Sequence, residues 1–75
     1  MRNFEKDKFI QLGKNIQKLR RKYNLSTEEL SNKSEIRHKY LKQIESGTAY
    51  GVALSHIKKI ANSFKINVSE VLKGL

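Results

Sequence analysis

Apolar side chains return along this chain at steps of three and four, with no strand-like alternation and no internal repeat. Phe9, Leu12, Ile16, Leu19 and Tyr23 fall on one stripe, and Lys14, Lys18, Arg21 and Lys22 fall largely off it. This spacing predicts an amphipathic helix from about Asp7 to Tyr23, with Asn24 suited to a left-handed stop. Residues 1–8, MRNFEKDK, form either an extension of that helix or a flexible basic arm, and we favour the extension. Residues 9–75 form the domain proper.

Ser26 and Glu29 have capping-box spacing, which fixes the start of a second helix running from Thr27 to about Lys33. Its strong anchor is Leu30. A third helix, about Arg37 to Ser46, offers Leu41 and Ile44 to a core, with Ile36 just before it and Gly47 as its stop. Residues 48–53 read as a loop carrying Tyr50 and Gly51. A fourth helix follows through Leu54, Ile57, Ile60, Ala61 and Phe64. Asn67 and Glu70 repeat the capping-box spacing before a short fifth helix with Val68, Val71 and Leu72, and Gly74 as its stop. Helices this short are marginal alone, so the pattern describes an all-α chain folded as a compact five-helix orthogonal bundle, not a coiled coil with sustained heptads.

Composition narrows what such a bundle does. The chain has 75 residues, enough for one domain that buries about 60% of its unfolded surface and has little room for a deep cleft. Sixteen Lys and Arg against seven Asp and Glu give a net charge of +9, which favours a polyanionic partner. There is no cysteine, hence no disulfide framework, and no apolar run long enough for a membrane span or a signal-peptide core. We therefore expect a cytoplasmic, nucleoid-associated protein. Paired carboxylates at useful spacing, a nucleophile with its base and a glycine-rich phosphate loop are all missing, so an enzyme is not expected. His38 and His56 are far apart with no third ligand in view, so no metal and no cofactor is expected, and His56 reads as a surface residue.

The candidate chemistry lies on helix three. His38, Lys39, Lys42 and Gln43 share one side at steps of three and four, opposite Leu41 and Ile44. Lysine can donate to guanine O6 and N7, glutamine can pair with adenine through two hydrogen bonds, and histidine can donate or accept. With LRRKYNLS leading into helix two, EEL within it, IESG closing helix three and the tail IANSFKINVSEVL, the chain resembles the lambda-repressor-like, Xre/Cro-type helix-turn-helix family over roughly Leu12 to Leu72. The resemblance implies sequence-specific binding of double-stranded DNA by a transcriptional regulator of repressor type, with helix three in the major groove. It puts Thr27 at phosphate and His38, Lys39 and Gln43 at base edges. Arg37 and Lys42 flank them, and Thr48 completes the set of DNA contacts. It also implies an ion pair between Arg20 and Glu45 that braces the reading helix.

Three positions depart from the family pattern. Thr27 stands where Gln is usual, Glu35 where the turn usually has Gly, and Arg37 where Ser or Thr usually caps helix three. A left-handed Glu35 costs on the order of 1 kcal/mol, and Ser34 is expected to substitute as the cap. Val68, Val71, Leu72 and Leu75 suggest an exposed apolar strip suited to a homodimer, which would read a near-palindromic operator. The alternative is an antitoxin-like interaction module that uses the same strip on a protein partner. Membrane-surface binding is disfavoured, because the basic residues cluster on helix three and no Trp anchors are present.

Overall fold

The computed structural model describes residues 4–49 and 51–75, and the readings placed on the first three residues and on Tyr50 lie outside the described residues. Five helices follow one another: α1 (Phe4–Lys22), α2 (Thr27–Ser34), α3 (His38–Ser46), α4 (Leu54–Phe64) and α5 (Val68–Val71). The described residues contain no strand, and no helix among them is long and apolar enough to cross a membrane. α1 packs on α3 and α5, α2 on α3 and α4, and α4 on α5. The core draws on every helix. Ile16, Leu30, Leu41, Ile44, Ile60 and Val71 are its largest fully buried side chains.

Element boundaries follow local chemistry. α1 starts at Phe4, so residues 4–8 are its first turns, and it ends beside a left-handed Asn24 with φ of 58°. At α2 the Glu29 amide donates to the Ser26 hydroxyl at 3.0 Å and the Ser26 amide to the Glu29 carboxylate at 2.9 Å, which closes the capping box. Glu35 is left-handed, with φ of 60°, and turns the chain into α3. Gly47 (φ 80°) and Lys65 (φ 57°) end α3 and α4 in the same way.

Several expectations are corrected. Ser34 does not cap α3: its hydroxyl accepts from the Ile36 amide at 3.3 Å, inside the turn, and Arg37 is an N-cap without a side-chain bond. The second capping box does not form, because α5 is one turn long and the Glu70 amide pairs with the Asn67 carbonyl at 3.0 Å. Gly74 is left-handed but lies beyond the helix, which ends at Val71. The apolar strip is mostly internal: Val71 is fully buried, Val68 and Leu72 pack against the core, and only Leu75 is largely exposed. His56 is half-buried, not superficial; its ring meets Tyr40 edge-on at 5.2 Å and its Nδ1 is buried with no hydrogen-bond partner among the described residues.

Candidate nucleic-acid interface

α3 divides cleanly into two faces. Leu41, Ile44 and Glu45 are buried, and Arg37, His38, Lys39, Lys42, Gln43 and Ser46 are exposed. His38, Lys39, Lys42, Gln43 and Ser46 together line a shallow hollow. Arg37, Lys39 and Lys42 have no ion-pair partner among the described residues, so their charge faces outward unneutralised. Ser46 escaped the sequence reading, although one further helical step from Lys42 and Gln43 reaches it. Its hydroxyl shares a 2.8 Å hydrogen bond with the Thr48 hydroxyl and donates to the Gln43 carbonyl at 3.0 Å, which ties Thr48 to the end of the same face.

The buried side of α3 is held by α1. The Arg20 guanidinium grips both carboxylate oxygens of Glu45, Nε at 3.0 and 2.9 Å and a terminal nitrogen at 2.8 Å, and also donates to the Leu25 carbonyl at 3.1 Å. Gln17, one turn earlier, donates to the Glu45 backbone carbonyl at 2.7 Å. One turn before that is Gly13, where a Cβ would lie 2.4 Å from the same carbonyl oxygen. Residues 13, 17 and 20 thus form one stripe on α1 that seats the last turn of α3 at backbone distance. Gln17 and Gly13 carry no periodic hydrophobic signal, so they were not read from the sequence. On α1's next face Asn15 donates to the Val71 and Lys73 carbonyls at 2.9 and 2.7 Å, which fastens the C-terminal segment.

The N-terminus of α2 has a different character. Thr27 is half-exposed, and its hydroxyl bonds to no other described residue. Glu28 and Glu29 stand beside it. The Ser26 amide, then its hydroxyl, hold the Glu29 carboxyl below the usual carboxylate range, and Lys33 adds a smaller pull. A phosphate at Thr27 would share this helix end with two carboxylates, whereas no carboxylate lines the hollow on α3. Among the described residues no group of three His, Cys, Asp or Glu side chains is placed to hold a metal ion.

Residues 13–74 match the family model described as a helix-turn-helix domain. The structure is similar to the crystal structure of the restriction-modification controller protein C.AhdI from Aeromonas hydrophila, with a TM-score of 0.80 and 28% sequence identity. That similarity covers 84% of this chain and 94% of that one. A comparison with curated proteins gives no match.

Proposed function

As a member of the helix-turn-helix domain family, this chain is a DNA-binding regulator and not an enzyme, and we propose that it represses transcription by placing α3 in the major groove of an operator. The observation that carries this reading is the division of α3: one face is held to α1 by Arg20 and Gln17, and the other presents cations and an amide that have no partner among the described residues. His38, Lys39 and Gln43 read base edges, and Arg37, Lys42, Thr48 and Thr27 meet the backbone. Similarity to a restriction-modification controller supports a regulatory role. Two copies related by a two-fold axis would set their α3 helices about 34 Å apart, matching a near-palindrome.

Selection from a pool of random duplexes tests the reading. The expected result is one enriched motif with two-fold symmetry, and sedimentation of the complex should show two chains per site. Equal affinity for every duplex in the pool would overturn sequence-specific binding.

A further inference from the structure

The ends of α1, α2 and α4 meet at a cleft of about 420 Å³ that shares no lining residue with the hollow on α3. Its floor is apolar. Phe64 belongs to the core, Leu25 packs half-buried against it, and Tyr23 stacks on Phe64 with ring centroids 5.4 Å apart. Tyr23 nevertheless leaves 40% of its surface in solvent, with the Lys22 ammonium 5.5 Å from its ring centroid. The rim is cationic: Lys33 comes from the last turn of α2, and Lys65 from the left-handed cap of α4. Neither has an ion-pair partner among the described residues, and no carboxylate lines the cleft. Glu29, one turn before Lys33 on α2, exchanges only a longer-range attraction with it.

An apolar floor with two cations and no acid at its rim complements a small molecule that is flat at one end and anionic at the other. We propose that this cleft binds a small aromatic carboxylate. Its ring packs against Tyr23, Leu25 and Phe64, and its carboxylate is held by Lys33 and Lys65 through charge-assisted hydrogen bonds. The volume falls within the range of small-molecule sites. The occupant would bridge α2 and α4, two residues ahead of the Glu35 turn that leads into α3.

Benzoate added to ¹⁵N-labelled protein should give saturable shifts confined to the amides of residues 23–25, 33 and 63–65, with a midpoint in about the millimolar range. Acetate, which has the charge without the ring, and benzamide, which has the ring without the charge, should each bind at least about tenfold more weakly. Combining Lys33→Gln with Lys65→Gly should weaken benzoate by about tenfold or more. Glycine adopts the left-handed cap without strain, so that loss would not be misfolding. The proposal is overturned by shifts that do not saturate or that map to α3, by acetate binding as well as benzoate, or by undiminished binding in the double variant. DNA binding stands or falls separately, since the α3 face takes no part in this cleft.

Discussion

Gly13 shows how much a single residue can decide. In an exposed helix interior, alanine in place of glycine would add about 1 kcal/mol of stability. Here the added carbon would lie 2.4 Å from the Glu45 carbonyl oxygen and 2.7 Å from that of Ile44, both backbone atoms that cannot step aside. Gly13→Ala should therefore destabilise, by about 1–3 kcal/mol, read as a lower urea midpoint. Glu45→Gln removes the charge opposite Arg20 and leaves the guanidinium with a neutral partner in a site where Glu45 is only 7% exposed. Arg20 keeps 20% exposure, so the expected loss is about 2–3 kcal/mol, less than for a fully buried pair. The family resemblance made the Arg20 and Glu45 pairing legible in the sequence. Gly13, Gln17 and Asn15 were not, because each acts on a carbonyl from another helix, and only knowing which helices touch reveals such a contact.

Among the elements, α2 and the turn after it show where local sequence suffices and where it does not. Ser26 and Glu29 form a capping box, whereas Asn67 and Glu70, at identical spacing, do not, since α5 stops after one turn. A cap motif reports a helix start but not how much helix follows. The positive φ at Glu35 could be read from the family pattern, but that at Lys65 had no comparable cue. Glu35→Gly should stabilise the turn by about 0.5–1 kcal/mol, the relieved strain being partly offset by the looser unfolded chain; thermal melts would check it. Because Ser26 lowers the pKa of Glu29 in the folded state, the capping box favours folding above the ordinary carboxylate pKa. That contribution fades as pH falls through the lowered value. Ser26→Ala removes the hydroxyl but keeps the backbone amide, so the Glu29 titration, followed by NMR, should move only part of the way back up.

At the scale of the whole molecule the charge is uneven in kind as well as amount. The net charge of +9 includes lysines on α1 and α4 that face solvent, so basicity alone does not locate a DNA surface. What sets α3 apart is that its cations share a face with Gln43 and Ser46, on a helix whose last turn is held by Arg20 and Gln17. This predicts two separable signatures. If Lys42 meets phosphate, Lys42→Ala should weaken every duplex alike and reduce the slope of log affinity against log salt by about 0.9, since one fewer counterion is released. If Gln43 reads a base, Gln43→Ala should leave that slope unchanged and cost about 1–3 kcal/mol only on duplexes carrying the preferred base. Affinities of both variants across a salt series, on the selected duplex and on a scrambled one, separate backbone from base contact. A Gln43→Ala loss that was equal on both duplexes would remove Gln43 from the reading face.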